Sequence, residues 1–171
     1  MTYPDKKHVR RRISSDLKLG KSRRQILGEL EEEYYDKDQL TKLVIGALSP
    51  QDRERYRFHN VLLGTLVIGL VAFRCWEFKL EYVSSGLSLL SLIVGISVFR
   101  YEAISYRLIA VVSIVTFARY AFSYSVNSLL FIDLVMTAMI VVLGFYLGTR
   151  LFPTYGVLGP KRDSDGAILI D

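Results

Sequence analysis

Cysteine and histidine, the side chains that most often hold metals, are nearly missing from this 171-residue chain: there is one cysteine, Cys75, and two histidines, His8 and His59. A single thiol excludes an internal disulfide and any zinc site built on cysteines. Neither histidine has a second histidine or an acid at ligand spacing, so no metal site is expected. A phosphate-binding loop is missing too, because the "LGKS" of residues 19–22 lacks the earlier glycine of a P-loop. The "DSDG" of residues 163–166 is too short for a calcium loop and reads as a turn. With no paired acids and no nucleophile beside a base, no catalytic set emerges, and the expectation is a protein that is not an enzyme and holds no cofactor.

Charge is scarce over one long stretch. Residues 1–57 carry 14 Lys/Arg and 10 Asp/Glu, whereas residues 58–149 carry nine charges in all: Arg74, Glu77, Lys79, Glu81, Arg100, Glu102, Arg107, Arg119 and Asp133. A soluble core helix shows a polar stripe every three to four residues, but "NVLLGTLVIGLVAF" and "LSLLSLIVGISVF" are apolar or small all round. That pattern suits lipid. A hydrocarbon core about 30 Å thick takes about 20 helical residues, and about 17 suffice. Four segments qualify, residues 58–76, 83–99, 103–122 and 126–149, the third requiring Arg107 and Arg119 to reach opposite headgroup layers.

The flanks orient them. A cytoplasmic N-terminus puts Arg53, Arg55, Arg57, Arg100, Arg107, Arg150, Lys161 and Arg162 inside, against Arg74, Lys79 and Arg119 outside. The fold expected is therefore all-α and polytopic: a cytosolic three-helix unit (1–49), a transmembrane bundle of four helices in two hairpins (50–152), and a flexible cytosolic tail (153–171). Both termini are cytoplasmic, at the inner membrane if the cell is bacterial. More than fifty polar residues precede the first apolar run, so no cleavable signal is expected there.

The N-terminal unit reads as three short helices. Val9, Ile13 and Leu17 make an apolar line that Gly20 ends; Ser22 and Gln25 form a capping box before Ile26, Leu27, Leu30 and Tyr34; Leu40, Leu43, Val44 and Leu48 line a third helix. Ser49 and Pro50 start another helix, expected to run unbroken into the first span. So small a core needs support from a membrane surface, a partner or a second copy. Charge is polarised, with nine Lys/Arg against one acid in residues 6–24 and six acids against one lysine in residues 29–38. Lys6, Lys7, Arg10, Arg11, Arg12, Arg23 and Arg24 are the candidates for binding anionic lipid or a partner protein. Nucleic acid is not expected, since the "EEE" of residues 31–33 falls where a phosphate backbone would pass.

Within the spans two features stand out. Small residues at one-face spacing, Ser84, Ser88, Ser91 and Gly95, and the GxxxG of Gly144 and Gly148, mark seams for packing inside the bundle or in a homo-oligomer. Asp133 is the one ionisable group away from a helix end, and an arginine is expected to meet it, Arg119 first and Arg74 second, these two being counterparts in a faint hairpin repeat. The function expected is that of a multi-pass scaffold or adaptor with a docking module; the alternative is a small oligomeric transporter or channel that uses Asp133 as an ion or proton site.

Overall fold

In a computed structural model the chain is all-helical. The structure describes residues 6–34, 36–84, 86–123, 128–156, 159–162, 168 and 170, without the side chains of 6, 77–84, 88, 120, 123 and 128. Two compact units form: Met1–Tyr56 with Leu151–Asp171, and Arg57–Arg150.

The first unit holds α1 (Lys6–Lys18), α2 (Arg23–Glu31), α3 (Lys37–Ile45) and α4 (Pro50–Arg55). Gly20 ends α1 in the left-handed region at φ 79. Its N–H donates to the Leu17 carbonyl and that of Lys21 to Asp16, a Schellman closure of the helix. The Ser22 hydroxyl accepts from the Gln25 N–H at 3.3 Å while the Gln25 side chain accepts from the Ser22 N–H at 3.0 Å, so the capping box is complete. Asp36 caps α3 and Ser49 caps α4, with Pro50 in its first turn. Val9, Ile13, Ile26, Leu27, Leu30, Leu40 and Val44 are the buried core.

The C-terminal segment groups with this unit. Leu151 and Phe152 are buried. Residues 155 and 160 pair, as do 162 and 168, and Ile170 packs on the core of α1–α3. The Tyr155 hydroxyl donates to the Lys42 carbonyl at 3.2 Å. Apolar burial, which composition did not suggest for this stretch, is what holds it. The "DSDG" turn lies outside the described residues.

The second unit holds α5 (Arg57–Ser84), α6 (Leu87–Phe99), α7 (Ser105–Ser123) and α8 (Ser128–Leu151). The expected continuous run from residue 50 is interrupted at Tyr56, which leaves the helical region at φ -101, ψ 7. Successive helices run antiparallel. Gly64 of α5 lies under the Phe99 ring of α6, and Gly95 of α6 meets Val67. Gly144 of α8 meets the Tyr106 backbone of α7. Among the described residues two helical stretches are long and apolar enough to cross a membrane, Arg57–Trp76 and Leu129–Leu151. The second expected span is shorter than its sequence suggested: α6 has 13 residues, or about 20 Å at 1.5 Å per residue.

The α6–α7 turn carries an unusual residue. Tyr101 has φ 57, its N–H donates to the Val98 carbonyl, and that of Glu102 donates to Ser97. This is again a Schellman closure, with tyrosine where glycine is usual. Left-handed strain is about 1–2 kcal/mol for a side-chain-bearing residue, more than the extra unfolded-state freedom of glycine, about 0.4–1 kcal/mol. Tyr101→Gly should therefore raise stability slightly in thermal unfolding. A clear loss would mean that the Tyr101 side chain contributes more than its backbone strain removes.

Candidate functional site

The bundle interior is where polar groups gather. Arg74, Asp133 and Thr137 are all buried, Asp133 completely. Arg74 lies on the same face of α5 as Leu63, Val67 and Leu70, which are also buried. Its Nε donates to Asp133 Oδ2 at 2.9 Å and its Nη2 to Oδ1 at 2.6 Å, a two-pronged pair. Thr137, one turn beyond Asp133 on α8, accepts from Arg74 Nη2 at 3.0 Å and donates to Asp133 Oδ1 at 3.0 Å. Each carboxylate oxygen thus has a cationic donor and one has a hydroxyl besides, the arrangement that lets a charge persist away from water.

The order expected for the two arginines is reversed. Arg74 makes the pair, whereas the side chain of Arg119 is exposed. The two are therefore not structural counterparts, and the hairpin repeat does not extend to their environments. The side chain of Ser88 lies outside the described residues, as do those of Ser84 and Lys6.

A second buried polar cluster, unforeseen from sequence, ties three helices at the other end of the unit. Asn60 of α5 donates from Nδ2 to the Val98 carbonyl of α6 at 3.1 Å. The Tyr106 hydroxyl of α7 donates to Asn60 Oδ1 at 2.5 Å. Val98 lies in the last turn of α6, and its carbonyl, which already accepts from the Tyr101 N–H in the Schellman closure, takes Asn60 as a second donor. The signal was available: an amide in an apolar helix normally faces protein. Arg107, expected to reach a headgroup layer, is buried against Gly148 instead, and its Nε has no hydrogen-bond partner among the described residues.

Those small residues of the seams whose side chains are described lie at contacts between helices of this unit. Ser91 and Gly95 are buried, with Gly95 against α5, while Gly144 and Gly148 face α7. Close backbone approach of this kind is what small residues permit.

The basic candidates of the first unit separate by partner. Arg12 donates to Glu33 at 2.5 Å, and that hydrogen bond holds its guanidinium above its ordinary pKa. Lys21 donates to Glu29 at 2.8 Å, which likewise raises its pKa, and it lies 3.4 Å from Asp16. Lys37 takes Glu31 at 3.0 Å. Arg23 is half-buried and donates to the Ala47 carbonyl at 3.3 Å. Lys7, Arg10 and Arg11 are exposed on one stripe of α1, and Arg24 is exposed on α2. Burial pushes the Tyr155 phenol up. No group of three or more His, Cys, Asp or Glu side chains positioned to hold a metal occurs among the described residues.

No known protein family, curated protein or solved structure matches this chain. Its class therefore rests on the geometry: an all-helical protein with two helices able to cross a membrane and a buried arginine–aspartate pair between them.

Proposed function

We propose that this is a non-enzymatic multi-pass membrane protein in which α5–α8 form a four-helix transmembrane bundle, and that it acts as a scaffold or adaptor. Its first unit is a cytoplasmic docking module for a partner protein or anionic lipid. The observation that carries the reading is an inverted polarity in the Arg57–Arg150 unit. Arg74, Asp133, Asn60, Ser91, Ser113, Thr116 and Thr137 are buried, while Trp76 is 82% exposed, Leu89 62%, Phe122 92%, Phe131 66% and Val142 67%. Every one of the four helices turns large apolar side chains outward. Water penalises so extensive an apolar surface, whereas hydrocarbon favours it and drives polar groups inward.

Topology has separate support. Residues from both ends of the chain share one core in the first unit, so they lie on one side of any bilayer and the crossings between them are even in number. Within the other unit, Asn60, Val98 and Tyr106 lie at one level, so the α6–α7 turn returns to the end at which α5 begins. That suits four crossings better than two. The shortness of α6 is absorbed by local thinning of the bilayer, at fractions of a kcal/mol per Å.

Single cysteines in a Cys75→Ser background test this. Ser15→Cys, Glu102→Cys and Lys161→Cys should react with a membrane-impermeant reagent only after the membrane is opened, and Lys79→Cys should react in intact cells. If Glu102→Cys labels in intact cells, only α5 and α8 cross. If Ser15 and Lys161 positions label on opposite sides, the shared core is not formed in the membrane.

A small oligomeric transporter is the second reading, favoured by the one carboxylate inside the bundle. Engagement of both its oxygens by Arg74 leaves no open coordination for a cation unless the pair opens.

A further inference from the structure

Resting on the docking reading above, we infer that the docking module binds anionic glycerophospholipid through one stripe of α1, in which Lys7, Arg10, Arg11 and Ser14 hold the lipid phosphate. These residues fall at i, i+3, i+4 and i+7, hence on one helix face, and together line an open cavity of about 440 Å³. The opposite face of α1 carries Val9 and Ile13, both fully buried, so the fold fixes which way the stripe points.

Charge bookkeeping within the unit bears on Arg10 and Arg11. Three of the six acids in the block that follows α1 are engaged by other cations, Glu29 by Lys21, Glu31 by Lys37 and Glu33 by Arg12, while Asp16 lies beside Lys21. Arg10 and Arg11 take part in no ion pair among the described residues. Two guanidinium groups, an ammonium group and a hydroxyl supply donors and no acceptor charge, a set complementary to a phosphate.

Lipid is favoured over protein as the occupant by what the surface lacks. Stable protein interfaces are centred on buried aromatic or aliphatic anchors. Among the described residues of this unit, Leu19 is the one large apolar side chain that is strongly exposed, and it lies past the end of α1. A membrane surface needs no such anchor: each cation near it is worth about fivefold in affinity. The unit is also joined in sequence to the first apolar helix without a linker, since α4 ends at Arg55 and α5 starts at Arg57.

The test uses the full chain in nanodiscs, of phosphatidylcholine alone or with about one third phosphatidylglycerol. Hydrogen exchange of α1 is followed, with α2 and α3 as internal controls of folding. Slower exchange of α1 in the anionic discs is expected. It should return to the phosphatidylcholine rate in about 1 M salt, where the screening length is about 3 Å. Arg10→Ala with Arg11→Ala should weaken the effect about 25-fold in anionic-lipid titration, whereas Lys42→Ala, an exposed cation on α3 outside the stripe, should leave it intact. Equal exchange in the two discs overturns the proposal, as does slowing that survives the double substitution. Slowing by millimolar inorganic phosphate in phosphatidylcholine discs, to the same extent as by phosphatidylglycerol, assigns the stripe to a free anion and overturns it as well. A chain that fails to enter discs at all refutes the membrane reading itself, a result distinct from any of these.

Discussion

Asp133→Asn is expected to destabilise the bundle by about 3 kcal/mol in detergent or nanodisc unfolding, because it leaves Arg74 buried without its counter-charge. Arg74→Gln should cost about as much for the reciprocal reason. The double substitution Asp133→Asn with Arg74→Gln should recover most of the loss, since two neutral amides keep hydrogen-bonding capacity at the site. Combining Asp133→Asn with Arg119→Gln should recover nothing, because Arg119 is exposed and both oxygens of Asp133 are held by Arg74. Thr137→Val should be milder, about 0.6–1.7 kcal/mol, the range measured for single interhelical hydrogen bonds in membranes. These magnitudes separate a structural clasp from a transport site. A transport carboxylate would lose flux in Asp133→Asn with stability intact, and the double substitution would stay inactive. Counted along α8 from Ser128, Asp133 is five residues in, about 7.5 Å at 1.5 Å per residue. It is fully buried, and the Arg74 side chain of α5 reaches it.

Why Arg74 and not Arg119 was hidden in the sequence follows from the same physics. Position along a helix is legible by counting residues, and both arginines count to the same end of the bundle. Rotational phase is legible only where a helix has a polar face, and the spans have none. Leu63, Val67, Leu70 and Arg74 share a stripe at spacings of four, three and four, but nothing in four-sided apolar helices marks that stripe as the inner one. In the first unit the solvent supplies the missing contrast. Val9, Ile13, Ile26, Leu30, Leu40 and Val44 stand out against charged neighbours, and each is buried. The capping box at Ser22 was legible for a different reason, being a contact between residues three apart. Long-range polar contacts such as Asn60 with Tyr106 are 46 residues apart and depend on how three helices meet. Ile170 packs on the core of the first unit, a long-range contact that nothing local in its sequence marks.

Glycine-to-alanine substitution should give opposite outcomes at different glycines, and a loss is expected at Gly144, where the obstacle is backbone. A Cβ added there would lie 2.7 Å from the Tyr106 carbonyl oxygen and 3.5 Å from the Ala110 Cβ. The nearer atom is backbone inside α7, so it cannot swing aside, and α7 and α8 must separate along their contact. Overpacking of this kind costs about 1–3 kcal/mol, and Gly144→Leu should exceed that range and disrupt the bundle. Gly148→Ala should be tolerated better, since its nearest neighbour is the Arg107 Cγ at 3.2 Å, a side-chain atom that can shift. Gly28→Ala lies at the other extreme: no atom comes within 4 Å of its added Cβ in the middle of α2. There the substitution should stabilise by about 1 kcal/mol through helix propensity alone. Thermal unfolding of the three variants in the same detergent distinguishes an intramolecular seam from an oligomeric one. If Gly144→Ala leaves unfolding unchanged and instead shifts the protein from dimer to monomer in size-exclusion chromatography with light scattering, the GxxxG face joins two copies in the membrane and α7 does not occupy it there.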